Sequence, residues 1–161
     1  VRGGEGSCGR FPCAFPPPRP LPHASVGEGD QGYAPGMREV IATDQAPGAI
    51  GPYSQAIRAS GTFVFLSGQI PLTPSRELIT ESIAAQCEQV MKNLAAVLEA
   101  SGLTFANVVK STILLSSMDH FATVNEIYGR AFPENPPARA TFAVSGLPRG
   151  ADIEIEMIAV A

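Results

Sequence analysis

Charge is scarce in this sequence. Asp, Glu, Lys and Arg make up 16% of the 161 residues, and 11 basic side chains stand against 15 acidic ones, for a formal net charge of -4. No lysine or arginine cluster is interleaved with aromatics, so the footprint of a nucleic-acid binder is missing and no nucleic-acid partner is expected. Small anionic ligands stay open, because they need only one or two placed cations. A subunit so short of charge also has apolar surface to cover, which favours a homo-oligomer. No uninterrupted apolar run approaches the length of a membrane span; a soluble protein with no membrane partner is the expectation.

Cysteine and histidine are rarer still. Cys8, Cys13 and Cys87 form neither a disulfide framework nor a zinc pattern, so no metal site is expected and a reduced, cytoplasmic compartment is the default. His120 is the one histidine outside the first 36 residues. It falls in the first turn of a predicted helix beside an acidic cap, where a solvated structural role is the plain reading. A Gly-rich phosphate loop and a nucleophile elbow are missing too. Any chemistry has to run without a metal, a covalent nucleophile or a cofactor.

Residues 1–36 are dominated by glycine and proline, including Pro16-Pro17-Pro18, and show no apolar periodicity. Such a segment buries too little surface to offset its ordering entropy, and disorder is predicted. Arg2, Arg10 and Arg19 suit a plastid or mitochondrial transit segment, but serine is sparse and Glu5, Glu28 and Asp30 are acidic. The apolar stretch of a secretory signal is lacking. Met37 directly precedes the first strand-like run, so an upstream extension, an artefact of the gene model ahead of a start at Met37, is the plainest reading.

Residues 37–161 carry the pattern of one compact domain. A short strand is predicted over 39–43, then a loop over 46–52 punctuated by proline and glycine. Segments 53–59 and 62–69 flank Ser60-Gly61 as a hairpin, with Phe63 and Phe65 on one face and Val64 and Leu66 on the other. Ile83, Cys87, Val90, Met91, Leu94, Val97 and Leu98 then make one continuous helical stripe, capped by Thr80 or Ser82 and stopped by Gly102. On that stripe Cys87 reads as a buried small hydrophobe. Segment 107–115 reads as a central strand. A second helix, capped by Ser117 or Asp119, presents Phe121, Val124, Ile127, Tyr128, Ala131 and Phe132 on one face, and Pro133 and Pro136-Pro137 end it. Strands over 140–147 and 152–161 close the chain across Pro148-Arg149-Gly150. The order β-β-β-α-β-α-β-β implies an α+β fold, a mostly antiparallel or mixed sheet with both helices on one face. The other face is left for subunit contacts.

Within this pattern Arg139 emerges from Pro136-Pro137-Ala138 into a β-branched, aromatic segment. A guanidinium held rigidly at a strand start suits planar, bidentate binding of a carboxylate. Period-2 alternation along 152–157 turns Ile153, Ile155 and Met157 inward and Glu154 and Glu156 to the opposite face. That face reads as solvated by itself; at a subunit interface a carboxyl there could serve as general acid or base. Tyr53, Ser67-Gly68 and Asn125 each have an ordinary structural reading alone.

Together these residues carry a resemblance. Ala49-Ile50-Gly51-Pro52-Tyr53-Ser54-Gln55-Ala56, Ser67-Gly68-Gln69-Ile70-Pro71, Phe121-Ala122-Thr123-Val124-Asn125, Pro137-Ala138-Arg139 and Ile153-Glu154-Ile155-Glu156-Met157-Ile158-Ala159-Val160 resemble, in order and spacing, the motifs of the reactive-intermediate deaminase family (RidA type) over residues 38–161. The resemblance implies a chorismate-mutase-like (bacillus type) subunit, a homotrimer whose sheets form a central barrel, and clefts between subunits. It implies hydrolysis of 2-imino and enamine acids, such as 2-iminobutanoate and 2-iminopropanoate, to 2-oxo acids and ammonia. Pyridoxal-phosphate-dependent dehydratases would release these substrates. By the same motifs Arg139 would clamp the carboxylate and Glu154 would position or activate water. Tyr53, Ser67, Gly68 and Asn125 would line the cleft, and the Thr141 backbone would bond near the imine, at a place that often holds cysteine in bacterial members. A non-catalytic small-ligand-binding or interaction trimer, and an endoribonuclease or translation inhibitor, are the alternatives.

Overall fold

The computed structural model describes residues 37–161; the readings of residues 1–36 lie outside the described residues. The chain runs β1 (Arg38–Ile41), β2 (Ala56–Ala59), β3 (Phe63–Gln69), α1 (Ile83–Ala100), β4 (Val108–Leu115), α2 (Phe121–Ala131), β5 (Ala138–Ala143) and β6 (Ile153–Val160). This is the predicted order. Strands β3, β6, β4 and β5 form one sheet in that spatial sequence, antiparallel except for the parallel pair β4 and β5. The mixed α+β architecture expected from the pattern is therefore present.

The expected hairpin across Ser60-Gly61 is not. β2 pairs antiparallel with β1, while β3 pairs with β6. The backbone at the turn decides this: the Ser60 N–H donates to Met37 O, whereas Thr62 and Ala161 exchange N–H bonds at 3.3 and 2.9 Å. β1 and β2 thus make a separate ribbon, joined to the edge of the main sheet by the parallel bridge between Ser54 and Ala138.

Helix α1 forms as its stripe dictates. Ser82 is its N-cap, accepting from the Ala85 N–H, and Cys87, Val90, Leu94 and Leu98 are wholly buried. Gly102 has φ +72°, and the Gly102 and Leu103 N–H groups close back on Glu99 O and Leu98 O. That is the paired-bond stop of a Schellman motif. The Cys87 thiol is pushed up to about 12 by burial and by Glu88, so it is inert packing. α2 is preceded by a short 3-10 turn, Met118–His120, whose cap is Ser117. It ends at Ala131, one residue before the capping Phe132. Pro133 follows at once and forbids continuation, so the Pro136-Pro137 pair takes no part in stopping the helix.

Both helices pack on one face of the sheet, over a core that includes Val108, Ile113, Leu115, Ile153, Ile155 and Met157. The opposite face is left open. Phe63 and Phe65 lie there with rings 6.4 Å apart, and Phe65 is 74% and Phe142 53% exposed. Three large aromatics in water on one sheet face mark a surface that something covers. Asp152 fixes the entry to β6: it accepts from Ser116 Oγ (2.7 Å) and Gln86 Nε2 (2.9 Å), and its N–H donates to Gln86 Oε1. These bonds tie α1 and the end of β4 to the residue two before Glu154.

Candidate functional site

Arg139 is the second residue of β5, which begins two residues earlier than the pattern suggested because parallel pairing with β4 starts at Ala138. Pro136 and Pro137 lack N–H groups but offer carbonyls. Ser54 uses both, with its N–H on Pro137 O (3.0 Å) and its hydroxyl on Pro136 O. This pair of bonds docks the 51–54 segment against the start of β5, which brings Tyr53 and Gly51 beside Arg139.

The half-buried guanidinium is held by one hydrogen bond and three rings. Its NH1 donates to Asn125 Oδ1 at 2.6 Å. Its central carbon lies 5.5 Å from the Tyr53 ring centroid, 5.8 Å from Phe121 and 5.2 Å from Tyr128. Each such contact contributes about 0.5–2 kcal/mol, more as water is excluded. Burial draws the Arg139 pKa down, with Tyr128 and Tyr53 opposing it, and a guanidinium stays cationic throughout. Among the described residues no carboxylate pairs with Arg139; the ion pairs are Arg58 with Glu39 and Arg130 with Glu88 and Glu126. A fixed cation with most of its donors unused is a receptor for an anion.

Phe121 and Tyr128 were assigned to the core stripe alone by the sequence pattern. The signal for their second role was their spacing with Asn125: positions i, i+4 and i+7 share one helix face. Tyr128 is buried, its hydroxyl shares a 2.7 Å bond with Ser111 Oγ, and burial pushes its pKa up to about 12. It stays neutral beneath the guanidinium. Gly51, at φ +118°, was also passed over. A Cβ there would stand 3.1 Å from Asn125 Nδ2 and 3.9 Å from Arg139 NH2, so glycine both permits the backbone and leaves room for the Asn125–Arg139 pair.

The second cluster gathers Ser67, Gly68 and Glu154. Pairing between β3 and β6 is irregular between Leu66 and Gln69, so Ser67 and Gly68 bulge from the ladder. Glu154 fills the place of the missing Gly68 side chain: an added Cβ would fall 1.9 Å from Glu154 Oε1. Gly68→Ala must therefore push the carboxyl aside. Its tip is flexible, so the expected result is a folded protein in which, if the carboxyl takes part in catalysis, kcat/KM falls about a hundredfold, as for an ångström-scale misplacement. Steady-state kinetics alongside a thermal melt checks it.

The two clusters do not meet within one chain. Arg139 and Thr141 lie opposite Ser111 and Ile113, on the helix-covered face, whereas Glu154 lies opposite Leu114 and shares the open face with Phe142. The sequence-predicted residues therefore divide into Tyr53, Asn125, Arg139 and Thr141 on one side and Ser67, Gly68 and Glu154 on the other. A cavity of about 330 Å³ opens elsewhere, between Arg38, Phe105, Phe132 and Asn135. The Arg38 guanidinium there is committed to Val108 O and Asn135 O, so it does not compete as a site. Among the described residues no group of three or more histidine, cysteine or acidic side chains is placed to hold a metal ion.

Known proteins match this chain closely. The family model described as Endoribonuclease L-PSP matches residues 43–161. Protein DfrA of Myxococcus xanthus is 57% identical over 125 residues, covering 76% of this chain and 95% of that protein. The human 2-iminobutanoate/2-iminopropanoate deaminase is 48% identical over 125 residues, 77% of this chain and 90% of that protein. Reactive Intermediate Deaminase A, chloroplastic, of Arabidopsis thaliana is 50% identical over 123 residues, 76% of this chain and 65% of that protein. Among solved structures, RidA from the Antarctic bacterium Psychrobacter sp. superposes with a TM-score of 0.60 at 41% identity, over 76% of this chain and 99% of that chain. The chain belongs to the Endoribonuclease L-PSP family and is a RidA-type member of it.

Proposed function

We propose that the protein hydrolyses 2-imino acids and their enamine tautomers, such as 2-iminobutanoate and 2-iminopropanoate, to 2-oxo acids and ammonia. The observation that carries this reading is Arg139, an unpaired cation fixed by Asn125 and three rings. Relatives at 48–49% identity named for this activity support it. The substrate carboxylate takes the guanidinium fork bidentately. Water attacks C2, the C=N electron pair moves to nitrogen, and nitrogen gains a proton. The tetrahedral adduct then expels ammonia as its hydroxyl closes to the 2-oxo group. Glu154 relays both protons. It takes one from the attacking water and passes it to the nitrogen of the adduct, then takes the hydroxyl proton and passes it to the amine as the C–N bond breaks. Both protons of the water thus leave with ammonia, and the carboxylate is unchanged over the cycle. An imine carbon is already electrophilic, so placement of water and a proton relay suffice.

The two clusters lie on opposite faces of one sheet, which supports a site built from two copies: the Arg139 cluster of one subunit meets Ser67, Gly68 and Glu154 of the next. The exposed Phe63, Phe65 and Phe142 supply the apolar contact. A homotrimeric barrel is the closed ring we assign to this arrangement. Pyridoxal-phosphate-dependent dehydratases are the suppliers of substrate. The Arabidopsis relative is named chloroplastic, which keeps a plastid or mitochondrial address beside the cytoplasmic one; sequencing the mature N-terminus in cells separates a start at Met37 from processing within 1–36.

The expected result is faster release of ammonia and 2-oxo acid than spontaneous hydrolysis when a threonine dehydratase supplies the imine. A rate equal to that of spontaneous hydrolysis, with 2-oxo acids still binding, would instead establish a non-catalytic binding protein. The word endoribonuclease in the family description finds little support in a chain of net charge -4 with no basic-aromatic surface.

A further inference from the structure

Ser54 and Gln55 are neighbours that grip different things. The Ser54 N–H and hydroxyl dock the 51–54 segment on Pro137 and Pro136, whereas the Gln55 side chain turns back to the loop that precedes it. Residues 42–50 form no helix or strand and are all exposed, so no buried side chain holds them. Gln55 does so instead. Its Oε1 accepts from the Thr43 N–H at 2.6 Å, and its Nε2 donates to Pro47 O at 2.8 Å, Thr43 O at 3.2 Å and Ala46 O at 3.3 Å. From Pro47 only Gly48 and Ala49 intervene before the loop reaches the site. There the Ile50 N–H donates to the Tyr53 hydroxyl at 3.2 Å, and the Tyr53 ring centroid lies 5.5 Å from the central carbon of the Arg139 guanidinium. Ordering a wholly exposed loop and a long polar side chain costs conformational entropy that no apolar burial there offsets. What the ordering achieves lies at Tyr53.

We infer that Gln55 is a positioning residue for the hydrolysis: by pinning residues 43–47 it holds the Ile50 N–H on the Tyr53 hydroxyl and so fixes where that hydroxyl points. The inference rests on the deaminase reading and assigns Gln55 no contact with substrate. A phenol carries one donor and an acceptor oxygen. With the Ile50 N–H on the oxygen, and no other hydrogen-bond partner of the Tyr53 hydroxyl among the described residues, its proton is kept for an acceptor on the acid bound at Arg139. The Tyr53 ring is held independently of the loop, through Ser54 and through its own N–H on Gly51 O at 2.9 Å. Loss of the Gln55 bonds therefore releases the direction of the hydroxyl without removing the ring or the guanidinium. A misaimed group at a reacting centre costs rate even when the substrate stays bound.

The test is a double-mutant cycle of Gln55→Met and Tyr53→Phe in the dehydratase-coupled assay, with 2-oxo acid inhibition and amide hydrogen exchange measured on each protein. Gln55→Met keeps the length of the side chain but offers the loop no hydrogen bond. It should lower kcat by roughly tenfold while the inhibition constant of the 2-oxo acid stays within about threefold, because the Arg139–Asn125 pair is untouched. Exchange should rise across residues 43–50 and stay at the wild-type level across β4. In the Tyr53→Phe background no hydroxyl remains to be aimed, so Gln55→Met should there change kcat by less than about twofold. Unchanged kcat in Gln55→Met, or a loss that persists in full beside Tyr53→Phe, would overturn the inference and leave Gln55 a structural clamp. If Gln55→Met does not fold, Gln55→Glu takes its place under the same criteria: its carboxylate keeps the bond from the Thr43 N–H but opposes the three carbonyls. An inactive wild type would overturn the deaminase reading and this inference together, whereas an active wild type indifferent to Gln55→Met removes the inference alone.

Discussion

Arg139→Ala is expected to reduce kcat/KM for 2-imino acid hydrolysis by about two to four orders of magnitude, the equivalent of about 3–5 kcal/mol for removing one partner of a desolvated charge pair. The fold should survive. Arg139 makes no ion pair with the protein and gives up hydration to sit among Tyr53, Phe121 and Tyr128, so the free subunit carries the desolvation of a cation without a counter-ion. Removing it relieves that penalty but forfeits the Asn125 bond and the three ring contacts, effects of opposite sign that largely offset one another. The melting temperature and the oligomeric state should therefore stay close to wild type while activity is lost. Arg139→Lys separates charge from shape: an ammonium keeps the attraction but has no planar fork, and the ring contacts fit it less well. It should recover part of the binding, seen as a KM nearer to wild type, with kcat still depressed because the substrate is no longer held at a fixed angle to the attacking water. Full activity in Arg139→Ala would end the carboxylate-clamp mechanism.

The features legible in the sequence are those set by short-range periodicity. The α1 stripe, its cap and its Gly102 stop depend on neighbours within two turns; of the two candidate caps Ser82 is the one used, and of the stripe Val97, 38% exposed, stays outside the core. Arg139 was legible because Pro136-Pro137-Ala138 announces a stiff entry to a strand, and Glu154 because apolar and acidic residues alternate from Ile153 to Met157. The pairing of β3 was not, since its partner β6 lies at the far end of the domain and proximity in sequence pointed to β2. The ring cage of Arg139 was hidden for another reason. Phe121 and Tyr128 obey the same apolar period as the core, and nothing local says that β5 will lay a guanidinium across them. The separation of Arg139 and Glu154 onto opposite faces was the least accessible, because it follows from how β4 registers with β5 on one side and with β6 on the other.

That separation leads to an outcome in mixed assemblies. A site made of Arg139 from one copy and Glu154 from the next should be restored when two inactive variants assemble together. Arg139→Ala keeps an intact Glu154 cluster, and Glu154→Gln keeps an intact Arg139 cluster with nearly the same side-chain volume on Gly68. In a ring closed by identical head-to-tail contacts, random assortment of the two chains in equal amounts gives each site an intact pair in about a quarter of cases. Co-refolded or co-expressed variants should thus reach about one quarter of wild-type activity, whereas each variant alone, or the two folded separately and mixed without exchange, should stay near background. The separately folded control excludes trace wild-type contamination and any contribution of unexchanged rings. Phe65→Asp in one partner provides the reverse check, because a charge on the open sheet face, where Phe65 is 74% exposed, should block assembly and abolish the complementation. If co-assembled variants stayed at background while a tag on each showed that mixed rings had formed, the two clusters would have to work within one chain. The opposite-face geometry leaves no room for that unless the sheet is crossed, so the composite site would then be wrong and Glu154 would lose its place in the reaction.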